Sequence, residues 1–83
     1  MMKVLFFAQL RERLNCDNTD LDIELPVLVC DLREALMTRF PDHADLLKAG
    51  KALVAINQEL VNDEKATIAT ADEVAFFPPV TGG

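Results

Sequence analysis

An α+β fold is predicted for this chain: a mixed β-sheet with one main helix packed on one face. Three observations carry that expectation. Asp20, Asp22 and Glu24 alternate with Leu21, Ile23 and Leu25, the period-2 pattern of a half-buried strand. Val29, Leu32, Leu36 and Phe40 fall at helical spacing, and Pro41 follows where such a helix has to stop. Residues 3–8 and 73–77, near the two ends of the chain, are rich in β-forming side chains and bracket the helix with strands.

The first strand, residues 3–8, has a wholly apolar set in Val4, Phe6 and Ala8, which should face the core, and a second set in Lys3, Leu5 and Phe7 on the outer face. Residues 9–14 can form a short helical turn, and the Asn- and Asp-rich residues 15–20 read as a loop. The second strand then covers residues 20–25 and ends at Pro26. The main helix has no good N-cap because Leu28 precedes it, although Asp31 in the first turn suits the helix dipole. Residues 42–49 can form a second short helix anchored by Leu46 and Leu47, with Gly50 as its C-cap. Residues 52–56 are apolar and β-prone, Asn57-Gln58 makes a turn, and residues 59–61 return as a hairpin strand. A polar turn over residues 62–65 leads to residues 67–69. In the last strand Val74 and Phe76 alternate with Glu73, Ala75 and Phe77, so the charged residue marks the outer face and Phe77, like Phe7, is a bulky aromatic on that side. A helix across one face of a sheet whose first and last strands are central neighbours is a β-grasp arrangement. Phe7 and Phe77 then share an exposed apolar patch, which Leu60 on the nearby hairpin extends.

Composition bounds the function. With 83 residues the chain is one domain, and it buries only about 60% of its unfolded surface, too little to enclose a large substrate pocket. A net charge of −6 without a basic run argues against nucleic-acid and anionic-membrane partners and favours neutral or basic surfaces. The apolar run from Val4 to Ala8 is too short for a signal-peptide core, and no stretch approaches transmembrane length, so a cytoplasmic location is expected. There Cys16 and Cys30 stay reduced. Their spacing is not Cys-x-x-Cys, and no His/Cys cluster points to a metal; His43, the only histidine, reads as a solvated residue near a helix start.

The C-terminal segment is the most informative stretch. Phe76-Phe77-Pro78-Pro79-Val80-Thr81-Gly82-Gly83 runs from an apolar strand through a stiff diproline to two residues without side chains. Backbone without Cβ atoms can enter a channel that side chains would block, so the Gly83 carboxylate is the expected reactive group. Pro78, Pro79, Val80, Thr81 and Gly82 would thread it, spanning roughly 20 Å. The expected organisation is a β-grasp domain over residues 1–77 and a flexible, extended Gly-Gly tail over residues 78–83.

Three segments, Lys3-Val4-Leu5-Phe6-Phe7-Ala8-Gln9-Leu10-Arg11-Glu12, Val54-Ala55-Ile56-Asn57-Gln58 and Asp72 through Gly83, resemble the small, sulfur-carrying subunits of molybdopterin synthase, a ubiquitin-like β-grasp family. The resemblance covers the chain in order, and its most specific part is the Phe-Pro-Pro-Val lead-in to Gly82-Gly83. Residues 15–50 depart more from the pattern. The resemblance implies that an ATP-dependent adenylyltransferase similar to ubiquitin activators converts the Gly83 carboxylate to an acyl-adenylate. A partner persulfide then supplies sulfur, giving a thiocarboxylate. The tail enters the large subunit, where two such transfers to cyclic pyranopterin monophosphate build the molybdopterin dithiolene. It further implies that this chain has no independent enzymatic activity and binds no cofactor, that ATP belongs to the activating partner, and that the synthase is a heterotetramer. Phe7, Leu60 and Phe77 are the implied contacts with both partners. Arg11, just after the first strand, reads first as a solvated surface charge and second as a partner contact. Three other readings are a sulfur carrier for another pathway, of thiamine type; a ubiquitin-like protein modifier; and a non-covalent β-grasp adaptor with an inert terminus. Lys51 reads equally as an interface residue or as one flanking a turn.

Overall fold

The first strand follows its alternation: in β1 (Met2–Phe6) Met2, Val4 and Phe6 are buried, while Lys3 is exposed and Leu5 half-buried. The computed structural model describes residues 2–70 and 72–79. After β1 come α1 (Ala8–Leu14), β2 (Asn18–Leu21), β3 (Val27–Leu28) and α2 (Val29–Arg39). A 3-10 turn (Pro41–His43) leads to α3 (Ala44–Leu47), and the chain closes with β4 (Leu53–Ile56), β5 (Glu59–Val61), β6 (Thr67–Ile68) and β7 (Val74–Phe77).

Among the described residues the main sheet has five strands in the order β2-β1-β7-β4-β5, and β3 and β6 form a separate two-stranded sheet. β1 and β7 are parallel, with Val4 opposite Val74, Leu5 opposite Ala75 and Phe6 opposite Phe76. The other pairings are antiparallel, so the sheet is mixed, as the sequence predicts. α2 packs its Val29, Leu32 and Leu36 face into the core formed by Val4, Phe6, Val54, Val74 and Phe76. Phe40 meets Phe6 edge-to-face, with ring centroids 5.7 Å apart, a geometry favoured by the aromatic quadrupoles.

Four local expectations are corrected. Ala8 does not join the core: its φ is +55°, the chain turns there into α1, and its side chain is exposed. The second strand lies at Asn18–Leu21 rather than over residues 20–25. Its register explains why, because Leu21 pairs with Met2 and Asn18 with Leu5, so a strand continuing past Leu21 would run beyond β1. Ile23 and Leu25 still pack against the core, from a non-strand segment. The second short helix is broken into the 3-10 turn and α3, so it covers only part of residues 42–49. Gly50 is not its cap: α3 ends with Lys48 in an extended conformation, and Gly50, at φ +85°, lies two residues further on.

The expected lack of an N-cap on α2 is observed, and the structure shows what replaces it. The Val29 N–H donates to the Ala66 carbonyl at 3.0 Å and the Cys30 N–H to the Glu64 carbonyl at 2.8 Å. The loop before β6 thus supplies the acceptors that a capping side chain would have offered.

Arg33 ties the same loop to the core. It is 6% exposed, donating from Nε and Nη2 to both Glu64 carboxylate oxygens at 2.9 and 2.8 Å, and from Nη1 to the Leu47 and Ala52 carbonyls at 2.7 and 2.9 Å. Its guanidinium lies 5.4 Å from the centroid of the Phe76 ring. A buried charge is tolerated only when its donors are satisfied, and this bidentate arrangement meets that condition.

Asn57 and Gln58 form the β4–β5 turn with φ values of +54° and +69°, the left-handed pair that a tight hairpin requires. Asn57 also reaches across to the segment before β7: its Nδ2 donates to Asp72 Oδ1, and its Oδ1 accepts from the Glu73 N–H, both at 2.9 Å. Asp72 Oδ2 accepts from the Ala69 N–H at 2.8 Å. The Ala69 bond first, and then the Asn57 bond, hold the Asp72 carboxyl below its ordinary pKa.

Two outcomes are expected. Arg33→Ala leaves Glu64, which is 34% exposed, without its partner and two backbone carbonyls unsatisfied. It should lower the free energy of urea unfolding by about 3 kcal/mol, and Glu64→Gln by less. Because the folded-state pKa of Asp72 is depressed, its contribution is present above the unfolded carboxylate value of about 3.9 and is lost as pH falls through the folded value. The stability difference between wild type and Asp72→Asn, followed by denaturation across the acid range, should therefore shrink as pH drops.

Candidate functional site

The outer face of the sheet is built by register. Leu5, Ala75, Ala55 and Leu60 lie opposite one another in turn across β1, β7, β4 and β5, which puts them in one row on one face. Two small side chains in the middle of that row leave a hollow. Phe7, Ala55, Gln58, Leu60, Glu73, Ala75 and Phe77 line a shallow concavity of about 420 Å³. The alanines make its floor and the larger apolar side chains stand around it. Ala75 is 8% exposed, while Phe7 and Leu60 retain 46% and 54% of their surface. Phe77 is half-buried. The chain bends after Phe7, whose N–H is anchored to the Phe76 carbonyl at 3.1 Å, so Phe7 and Phe77 are held beside each other by backbone bonding.

The concavity thus brings together Phe7, Leu60 and Phe77, and it adds Ala55, Ala75, Gln58 and Glu73, which sequence reasoning did not single out. An alanine in a strand carries no sign of its neighbours' height, so only the cross-strand register could have identified the floor. Arg11 is exposed on α1 and lines no part of the concavity. Pro78 is half-buried and Pro79 exposed, whereas Val80, Thr81, Gly82 and Gly83 lie outside the described residues.

Chemically, the lining holds no nucleophile–base pair, and its ionisable member is Glu73. An apolar, largely preformed dish of this kind suits contact with another apolar surface. Among the described residues no group of His, Cys, Asp or Glu has metal-site geometry, and no helix is long and apolar enough to cross a membrane. Cys16 and Cys30 are unpaired thiols. Burial pushes the pKa of the Cys16 thiol up, Asp17 adds to the rise and Arg39 offsets part of it, so thiolate, the nucleophilic form, is disfavoured there.

The adjacent pairs Phe6/Phe7 and Phe76/Phe77 give a direct check on which face is which. Phe76→Ala, at a fully buried position, should cost about 3–5 kcal/mol in denaturant unfolding. Phe7→Ala should stay within about 1 kcal/mol of wild type.

Comparison with known proteins places this geometry. The ThiS family model matches residues 4–83. The chain is 45% identical to the molybdopterin synthase sulfur carrier subunit of Escherichia coli strain K12, with 100% of both chains covered. It is 46% identical to the protein of the same name from Haemophilus influenzae, again over 100% of each chain. Among solved structures it is similar to SAMP1, a small archaeal modifier protein of Haloferax volcanii, with a TM-score of 0.78, 27% identity, and coverage of 99% of this chain and 98% of that one.

Proposed function

Because the chain belongs to the ThiS family, we propose that it is a sulfur carrier serving molybdopterin synthase. The observation that carries this reading is the 45% and 46% identity with curated sulfur carrier subunits over their whole length, a match that takes in Gly82-Gly83. A free carboxylate is a poor acyl donor. In the proposed sequence the Gly83 carboxylate attacks ATP on an activating adenylyltransferase, pyrophosphate leaves, and the resulting acyl-adenylate has AMP as a good leaving group. The outer sulfur of a partner's persulfide displaces AMP to give an acyl disulfide. A second thiol on that partner then cleaves the S–S bond, leaving a C-terminal thiocarboxylate on Gly83 and a disulfide on the partner. The tail, threaded through residues 78–82, then presents that sulfur to cyclic pyranopterin monophosphate in the large subunit. The dish needs no catalytic side chain in this scheme, since acids and bases come from the partner.

Docking falls to Phe7, Leu60 and Phe77, each contributing on the order of 1.5–3 kcal/mol before ordering costs. The charge balance supports the same division, because an anionic pterin phosphate suits a basic pocket on the partner better than a chain of net charge −6. Two small and two large subunits form the proposed assembly, in the cytoplasm.

The likeness to an archaeal modifier supports one other reading, in which the Gly83 carboxyl ends in an isopeptide bond to lysine. Mass spectrometry separates the two. Trypsin cuts after Lys65 and releases residues 66–83 as one peptide, which contains no Met or Cys whose oxidation could mimic the exchange of oxygen for sulfur. Protein isolated from cells with an intact sulfur-transfer pathway should carry that exchange at Gly83. An unmodified carboxylate throughout, even with activating enzyme, ATP and a sulfur source supplied, would remove the carrier reading, and ATP-dependent conjugates in a cell extract would favour the modifier.

A further inference from the structure

One residue beyond the dish, the chain enters a second hollow of different character. Pro78 lines a cleft of about 70 Å³ with Gln9, Leu10, Arg13, Leu46 and Lys51. Leu10 is buried, Leu46 and Pro78 are half-buried, and the polar side chains of Gln9, Arg13 and Lys51 are exposed. The cleft therefore combines apolar walls with two cations drawn from α1 and from the segment before β4.

The chain has 8 basic and 14 acidic residues. Arg33 and Lys48 have carboxylate partners at 2.8 and 3.0 Å. Among the described residues the other six basic side chains make no ion pair, and Arg13 and Lys51 are two of these that line one cleft. Size limits what can enter. Small-molecule pockets run to about 300–1,000 Å³, so a pterin or nucleotide does not fit. Water occupies about 30 Å³ in the liquid, so the cleft holds roughly two waters' worth, the bulk of a carboxylate group.

We propose that this cleft receives an aspartate or glutamate side chain of the molybdopterin synthase large subunit, making Arg13 and Lys51 an electrostatic latch at the root of the tail. The inference rests on the sulfur-carrier reading. Continuity supports it, because Phe77 lines the dish and Pro78 the cleft, so a partner seated on one and gripping the tail reaches the other. Charge supports it too: in an acidic chain this is a place where an acidic partner group meets attraction, which fixes docking register and excludes misaligned approaches.

The test is the association rate of the full chain with the large subunit from the same organism, measured by stopped flow over a range of ionic strength. The paired substitution Arg13→Glu with Lys51→Glu should slow association about tenfold at low salt. Arg13→Gln with Lys51→Gln should flatten the salt dependence, and Arg13→Lys with Lys51→Arg should restore it. Phe7→Ala is the comparator, expected to speed dissociation without altering the salt dependence. An unchanged rate and salt slope in the charge-reversed protein, while Phe7→Ala still weakens binding, would overturn the latch and leave the carrier reading standing. Lost self-association of the free chain with partner binding intact would also overturn it, assigning the cleft to a second copy. Failure of the wild-type chain to bind the large subunit would remove the carrier reading and the latch together.

Discussion

The parallel pairing of β1 with β7 is the constraint on which the rest of the structure depends. It joins the two ends of the sequence at the centre of the sheet, aligning Val4 with Val74 and Phe6 with Phe76 as the core-facing rows. A parallel neighbour requires a long connection, and here that connection carries α2, which covers the apolar face. The same register fixes the opposite face, where Phe7 and Phe77 come side by side. It also determines where the tail departs, since the diproline follows the last residue of a central strand. Core, dish and tail root are thus consequences of one alignment.

Arg33 secures that alignment from behind. Its guanidinium faces the Phe76 ring while its hydrogen bonds gather α3, the start of β4 and the loop carrying Glu64 around α2. Asn57 and Asp72 act similarly at the edge, tying the β4–β5 hairpin to the approach of β7. Both devices hold the strand that leads to the tail, and neither places a reactive group near it. In the proposed carrier role, a body that positions a terminus and leaves chemistry to its partners would need this kind of rigidity more than a pocket.

What was legible in the sequence, and what was not, divides along the range of the interactions involved. α2 was legible because Val29, Leu32 and Leu36 repeat with the helical period. The dish walls were legible because Phe7 and Phe77 are bulky residues on the polar side of their strands. The end of β2 was not, because it is set by where β1 runs out of partners and not by the alternation of residues 20–25. Arg33 gives no local sign of burial, since its carboxylate partner is 31 residues away. The turn at Ala8 was hidden because alanine rarely adopts positive φ, and only the placement of α1 against β7 explains it. Lys51 read equally as turn or interface until the fold set it beside Arg13 and Pro78.

The alanine floor has an evolutionary consequence. Alanine is a weak strand former, and in mid-sheet a β-branched residue would favour the strand conformation and bury more apolar surface. Valine at position 55 or 75 would fill the hollow while improving the isolated domain. Selection for thermal robustness alone would therefore drift toward closing the dish, and only selection for complex formation would keep it open. The two pressures oppose each other at these two side chains, so variants enriched for heat resistance should be the ones most in danger of losing their partner.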